Sequence, residues 1–255
     1  MSFANLSLRC RNSRLSGYGP VLLFVAMLSV VSTGCQWAAV GQNVEGTRRF
    51  AQGDFLGAAN RFREAIENDP NNPDGYYNLA ATYHSQGIKS GNKAHLQQAE
   101  NFYNQCLDRD PNHRDCYRGL AVLLTEMGDS EKSFRLLEGW VGRSPTSAEA
   151  RIELARLNQE FAQRDKAKEL LTEAVELDPT NQRAQAAIGQ IYEETGNREQ
   201  ALICYQRSLR QNPFQPQLRT RVASLQRTVG PATPSLTPAG GTRVVNAPEV
   251  KVDIR

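Results

Sequence analysis

The sequence predicts an all-α fold, a solenoid of about five helix pairs closed by a C-terminal capping helix. The first observation is a period: Pro111, Pro145, Pro179 and Pro213 stand 34 residues apart, and Pro70 lies one period plus seven residues upstream. The second observation is that a small and then a large residue precede each proline, at Ala58 and Phe62, Ala99 and Tyr103, Ser133 and Leu137, Ala167 and Leu171, and Ala201 and Tyr205. Such a period indicates stacked units that share one apolar core.

Helix boundaries within each unit follow from turn and cap residues. Each proline lacks the amide donor that a helix interior needs, so it ends the second helix of a pair. The glycines that mark the end of a first helix are Gly53, Gly128 and Gly196. The residues predicted as N-caps are Asp129, Thr146 and Asn197.

Two places depart from the regular pattern. The first unit has Gln42, Glu45 and Arg49 where its first helix should be apolar, so this helix is either a polar terminal cap or poorly formed, and we favour the cap. The seven-residue insertion falls in the second unit. Its segment from Ile88 to Lys93 predicts a longer turn between the two helices rather than a new element.

The third unit and the chain after the last proline are also distinctive. Trp140 lies between Gly139 and Gly142, and we expect it to fill space that smaller residues fill in the other units. Residues 216–228 repeat apolar side chains at helical spacing, which predicts a closing helix over the last pair.

These columns resemble the tetratricopeptide repeat family over about residues 39–228, with the solenoid itself assigned to residues 41–228. The resemblance implies a right-handed solenoid in which the first helices of successive repeats line a concave groove. It also implies a protein that binds other proteins without chemistry of its own. Matching the columns places these residues in the groove: Phe50, Tyr77, Ala81, His84, Arg118, Val122, Thr125, Ile152, Arg156, Gln159, Gln190 and Glu193.

The predicted groove has a mixed lining, and its partner is expected to be a protein or peptide segment. Tyr77, Val122 and Ile152 would give apolar contact, while Arg118 and Arg156 could pair with carboxylates. For any one of these residues, plain exposure on a helix is the alternative. One family subtype grips a C-terminal carboxylate. Asn78 fits its pattern, but the other four places are occupied by Asn43, Thr47, Asp115 and Gly119, which disfavours that activity.

The N-terminal residues predict export and lipidation. Three arginines precede an apolar run that ends at Cys35, the layout of a signal peptide over residues 1–34. The tetrad Ser32-Thr33-Gly34-Cys35 resembles a bacterial lipobox, which implies a diacylglyceryl group on Cys35 and a short linker over residues 35–40. The alternative is an uncleaved membrane anchor. Either implies an extracytoplasmic domain, and Gln36 after the cysteine favours an outer membrane, facing the periplasm.

Charge excludes a nucleic-acid partner of the usual kind. The chain has 30 basic and 27 acidic residues, and residues 1–34 contain three of the bases and none of the acids, so the remainder is neutral. A nucleic-acid face would need a concentrated basic stripe. The tail over residues 229–255 is rich in Pro, Thr and Gly and is expected to be disordered.

Cysteines and histidines do not indicate a metal or an active site. Cys106 and Cys116 lie on neighbouring predicted helices, so they form either a disulfide or two reduced core residues, and thiol counting distinguishes these. His113 lies near both, but zinc needs a fourth ligand and none is evident. We find no catalytic motif and expect no metal, cofactor or small-molecule substrate.

Two functions remain open at this point. The favoured one is a non-catalytic, membrane-anchored lipoprotein that recruits or assembles cell-envelope proteins. The alternative is a regulatory accessory subunit of a cell-wall or polysaccharide enzyme complex. Both use the same scaffold, so the sequence does not separate them.

Overall fold

The computed structural model describes residues 37–229, and every regular element in that range is an α-helix. The helices are α1 (37–51), α2 (Phe55–Asn68), α3 (Pro73–Ser90), α4 (Lys93–Arg109), α5 (Arg114–Glu126), α6 (Ser130–Arg143), α7 (Ala148–Glu160), α8 (Arg164–Leu177), α9 (Gln182–Glu194), α10 (Arg198–Gln211) and α11 (Pro216–Val229). The predicted all-α class, the five helix pairs and the closing helix are therefore confirmed for this range. The proposed signal peptide, Cys35 and the tail after Val229 lie outside the described residues.

The described residues fall into two compact units. The first ends at Asp178 and contains α1 to α8, and the second begins at Pro179 and contains α9 to α11. Among the helices that the structure describes, none is both long and apolar enough to cross a membrane.

Each turn before a first helix is fastened by one recurring hydrogen bond. The side chain six residues after the proline donates to the carbonyl oxygen of that proline, whatever its chemical type. The pairs are Tyr76 with Pro70 (3.1 Å), Tyr117 with Pro111 (3.1 Å), Arg151 with Pro145 (2.7 Å) and Gln185 with Pro179 (3.1 Å). A phenol, a guanidinium and an amide thus donate to the equivalent carbonyl oxygen in successive repeats. Because these residue types differ, the column is not evident from the sequence.

The helix ends agree with the predicted turn chemistry, except at Asn197 and Thr146. Asn197 occupies the predicted N-cap position of α10, but its side chain makes no capping hydrogen bond. Gly53, Gly128 and Gly196 have φ values of 79°, 85° and 83°, the left-handed conformation that glycine adopts without strain. The predicted N-cap Thr146 is wrong by one residue. Ser147 occupies that place, and its side chain accepts a hydrogen bond from the Ala150 amide.

The insertion lengthens two helices rather than the turn, so its interpretation as a longer turn is wrong. Helix α3 has 18 residues where α5 has 13, α4 has 17 where α6 has 14, and only Gly91 and Asn92 separate α3 from α4. Gly87 is buried inside α3, where an added Cβ would lie 2.5 Å from the Leu96 side chain. Helix propagation costs little once packing of this kind is available.

The first helix is formed despite its polar sequence, and it begins earlier than the sequence predicts. Residues 37–40, assigned above to a linker, are helical. Ala39 is buried, and Gly46 lies so close to the Phe62 ring that an added Cβ would come within 2.5 Å of it. Gln42 accepts a hydrogen bond from Arg61 of α2 at 3.2 Å, so polar contacts supplement the small packed area.

Candidate protein-binding face

The first helices of the first unit carry most of the predicted groove residues. Helix α3 contacts α5, and α5 contacts α7, so residues in matching columns of these helices are neighbours. We call this surface the first-helix face. It consists of Tyr77 and His84 on α3, Arg118, Val122 and Thr125 on α5, and Arg156 and Gln159 on α7.

His84, one of the residues of the first-helix face, joins three helices. Its Nε2 lies 2.5 Å from a carboxylate oxygen of Glu126 on α5, and its Nδ1 lies 3.4 Å from the Tyr103 hydroxyl on α4. Burial raises the pKa of Tyr103, and nearby Tyr77 and Glu126 raise it further, so the hydroxyl stays protonated where it contacts the ring. His84 is therefore held by internal partners rather than left available for a ligand.

A close approach of α4 and α5 supports this arrangement. Gly119 lies against the Tyr103 ring, and an added Cβ would come within 2.6 Å of that ring. Only glycine lets the two helices approach so closely at this point. The absence of a side chain at Gly119 thus positions Tyr103 for its contact with His84.

Tyr77 and Arg118 are the residues of the first-helix face whose side chains are available to contact a partner protein. Tyr77 is half-buried, with its ring centroid 6.2 Å from that of Tyr103 and 5.7 Å from that of His113. Burial and then the Asp115 carboxylate raise the pKa of Tyr77. Arg118 is exposed, and its guanidinium makes no hydrogen bond or ion pair within residues 37–229. Its positive charge acts on the Tyr77 hydroxyl, so an aromatic ring and an unpaired guanidinium occupy matching columns of α3 and α5, a combination enriched in protein interfaces.

Arg156 occupies its predicted place but is already paired. Its Nε contacts Glu153, a fully buried carboxylate, at 3.2 Å, and its Nη1 contacts Glu160 at 2.5 Å. One nitrogen, Nη2, is buried without a partner in the structure. Arg156 is thus unlike the exposed, unpaired Arg118, and the two arginines should not be treated as equivalent anchors.

The remaining predicted groove residues differ in what they expose. Ile152 is only 5% exposed, so it belongs to the core and not to a contact surface. Val122 and Gln159 are half-buried. The Thr125 hydroxyl donates a hydrogen bond to the Ala121 carbonyl oxygen at 2.9 Å. Column matching did not select Tyr103 or Glu126, although both shape the face.

Two predicted groove residues lie on α9 in the second unit. Gln190 donates to Glu194 at 3.0 Å, within the same helix. Glu193 accepts from the Tyr205 hydroxyl of α10 at 2.7 Å and lies 3.5 Å from Arg221 of α11. Glu193 therefore joins the three helices of its own unit, and burial, more than the Glu193 contact, raises the pKa of Tyr205.

The cysteine and histidine cluster is a structural one. Cys106 and Cys116 form a disulfide between α4 and α5, with 6.5 Å between their Cα atoms. His113 accepts from the Cys116 amide through Nδ1 and faces Asp74 through Nε2, both at 3.2 Å. The three side chains offer ligand atoms within 4.8 Å of one another, one ligand fewer than tetrahedral zinc needs, and disulfide sulfurs do not bind it. Of the described cysteines, Cys204 is free and buried.

Comparisons with solved structures agree with the fold. A thermophilic TPR protein of Thermus thermophilus is 24% identical with a TM-score of 0.55, covering 74% of this chain and 100% of that one. The human IFIT1 dimer with m7Gppp-AAAA is 18% identical with a TM-score of 0.50, covering 69% of this chain and 43% of that one. YrrB, a TPR protein with an unusual peptide-binding site, is 18% identical with a TM-score of 0.41, covering 71% and 90%. At these identities the likeness to the Thermus protein and to IFIT1 shows the fold alone, and no conclusion is drawn from YrrB.

Comparisons of sequence point to the same class. Residues 46–87 match the family described as TPR repeat, and residues 160–225 match the one described as Tetratricopeptide repeat. No curated protein matches the chain. The two matches fall on helix pairs at either end of the described range, which bear the 34-residue columns from which the resemblance came. Over residues 46–87 and 160–225 the chain therefore carries repeats of the tetratricopeptide family.

Proposed function

We propose that this chain is a non-catalytic scaffold that binds a segment of a partner protein on the first-helix face. A lipid on Cys35 would hold it at a membrane, where it recruits or assembles cell-envelope proteins. Proteins of this family are generally protein-interaction scaffolds, and the fold is typically non-catalytic. The observation that carries the proposal is the half-buried Tyr77 beside the exposed, unpaired Arg118.

The chemistry of these two residues suggests what the partner segment offers. A guanidinium without an internal carboxylate binds an acidic side chain or a chain terminus through two parallel hydrogen bonds. The Tyr77 ring provides apolar contact next to it at little cost in side-chain entropy. We therefore expect a segment with an apolar residue and a carboxylate on one side, lying across α3 and α5.

The membrane location rests on the sequence. The arginines, the apolar run and the Ser32-Thr33-Gly34-Cys35 tetrad support export and lipidation, and Gln36 supports an outer membrane facing the periplasm. Two or more acyl chains suffice for stable anchoring. Cys35→Ala should abolish this lipidation, as labelling with palmitate would report.

Site-specific photo-crosslinking in intact cells tests the binding face. A crosslinking amino acid at Val122 should capture a discrete partner, whereas one at Lys132, exposed on α6, serves as the matched control. Adding Tyr77→Ala and Arg118→Ala together should weaken capture at least about tenfold, since the loss of each central anchor costs about 1–3 kcal/mol. Arg156→Ala should have a smaller effect on capture because its guanidinium is paired within α7.

Two results would move the site elsewhere. One is undiminished capture at Val122 by a double variant whose helicity and melting temperature are normal. The other is equal capture from Val122 and Lys132, which would indicate contact without a preferred face.

A further inference from the structure

Helix α1 carries an exposed apolar stripe along its first two turns. Trp37 is 79% exposed, Val40 53% and Val44 66%. The spacings of three and four residues place these side chains along one side of the helix. The other side buries Ala39 at 1% exposure and places Gly46 against Phe62 of α2, so the stripe faces away from the helix pair.

The stripe is confined to one end of the helix. From Glu45 onward the same surface is polar, because Glu45 pairs with Arg48 at 2.7 Å and Arg49 at 2.9 Å, and Arg49 also pairs with Asp54 at 3.0 Å. A terminal repeat needs a polar outer face to remain soluble on its own. Helix α1 meets that requirement in its second half only, and its first half, about 12 Å long, does not.

We propose that the Trp37–Val40–Val44 stripe lies in the headgroup region of the bilayer that anchors the chain. This inference rests on the lipidation of Cys35 in the proposed function. Trp37 follows Cys35 by two residues, a separation of at most about 7 Å, so a lipid on Cys35 brings the indole ring to the membrane surface. Tryptophan is enriched at that depth, and apolar helix faces enter it by about 5–10 Å, a depth that these three side chains can occupy.

The size of the stripe argues against a second copy of the chain as its occupant. A stable protein interface uses about 20–30 residues on each side, and the stripe offers three large side chains before the surface turns polar. A bilayer needs no complementary shape. The lipid and the stripe together would give two membrane contacts, which fix the orientation of α1 relative to the bilayer. A lipid alone would fix only the distance of the chain from the bilayer.

The chain contains a built-in fluorescent reporter for this contact. It has two tryptophans, the exposed Trp37 and Trp140, which is 1% exposed in the core. Subtracting the spectrum of a Trp37→Phe variant from that of the unmodified chain isolates the Trp37 signal and leaves the core unaltered. Full-length protein would be produced in a bacterium that processes lipoproteins, purified, and reconstituted into vesicles of phosphatidylethanolamine and phosphatidylglycerol.

We expect the Trp37 emission to shift to shorter wavelength on reconstitution. Lipids brominated near the headgroup should quench it at least about twofold more than lipids brominated at the chain end, because the ring is expected at headgroup depth. Val40→Ser with Val44→Ser should abolish most of that difference, whereas Leu56→Ser, at an exposed position on α2, should leave it unchanged.

Intact mass of the purified protein separates the two proposals. Lipidated Cys35 with an unquenched Trp37 overturns the membrane contact and leaves the anchor standing. A protein without lipid on Cys35 overturns both. A blue shift that appears without vesicles and grows with protein concentration assigns the stripe to a second copy, and it also overturns the membrane contact.

Discussion

At one contact between their two helices, the first and fifth helix pairs have different residues from the third pair. In α1–α2, Gly46 lies beneath Phe62, and in α9–α10, Gly189 lies beneath Tyr205, where an added Cβ would come within 2.5 Å and 2.8 Å of the rings. The third pair, α5–α6, has Ala121 and Leu137 in these columns, both fully buried. The fourth pair repeats that choice with Ala155 and Leu171.

This difference indicates that the repeat constrains the combined volume of the two facing side chains and not the residue type at either position. In the first and fifth pairs a ring on the second helix accompanies glycine on the first, and in the third and fourth pairs leucine accompanies alanine. The second pair is different: it combines Ala80 with Tyr103, and the Tyr103 ring lies against Gly119 of the next helix, α5. Close-packed interiors impose this coupling because neither an extra methyl group nor a void is tolerated cheaply. Each of the three rings in this column, Phe62, Tyr103 and Tyr205, therefore lies against a glycine, from its own pair in the terminal pairs and from the following pair for Tyr103.

The largest expected effect tests an exception in the third pair. Trp140 stacks on Tyr117 with ring centroids 4.1 Å apart, in a column that elsewhere contains small buried residues: Ala65, Cys106, Ala174 and Ser208. Trp140→Ala should lower the free energy of unfolding by about 3–5 kcal/mol, because the ring leaves a cavity. Chemical denaturation measures this, and Trp37→Ala is the control, expected within about 0.5 kcal/mol of the unmodified chain. Equal effects at the two tryptophans would contradict the buried packing of Trp140.

A smaller effect tests the coupling of the two columns directly. Gly46→Ala should destabilise the chain by about 1–3 kcal/mol through overpacking against Phe62. Gly41→Ala is the control on the same helix, since nothing lies within 4 Å of its added Cβ, and it should stabilise by up to about 1 kcal/mol.

The double variant Gly46→Ala with Phe62→Leu should then recover much of the loss, because it recreates the pair found at Ala121 and Leu137. A double-mutant cycle on the melting or denaturation data gives the interaction free energy. Additive losses at the two positions would show that the columns are independent, and the comparison between terminal and middle pairs would lose its meaning.

Much of the fold could be predicted because the prolines and glycines act locally. A proline cannot be placed in a helix interior without loss of a hydrogen bond, so it ends the helix that precedes it, and Gly53, Gly128 and Gly196 have the φ values that their position requires. The insertion could not be placed in this way. Gly87 resembles a turn glycine in sequence, but its lack of a side chain serves the contact with Leu96, and that contact depends on tertiary packing.

The candidate site was predicted less completely because pairing depends on neighbours. Column matching placed Arg118 and Arg156 in the same class, yet Glu153 and Glu160, three residues before and four after, hold Arg156. That pairing follows the known spacing on a helix and could have been predicted from the sequence. The contact of His84 with Glu126 could not, because 42 residues separate them and only the approach of α3 to α5 brings them together.

The smallest expected effect concerns the polar contacts of α1. These contacts hold α1 in place, whereas the helices of the middle pairs are held by apolar packing. Hydrogen bonds from Arg48 and Arg49 lower the pKa of Glu45 to about 2 from its ordinary value of 4.5. Because the folded-state pKa is lowered, the stabilisation is present above about pH 4.5 and is lost as the pH falls toward 2. Glu45→Gln removes the charge and keeps a similar helix propensity. Amide hydrogen exchange in α1, compared between the two proteins at each pH, should be faster in the variant at about pH 6, and this difference should shrink as the pH falls through about 2, where the carboxylate becomes protonated. A difference that persists unchanged down to about pH 2 would show that the charge of Glu45 does not hold this helix.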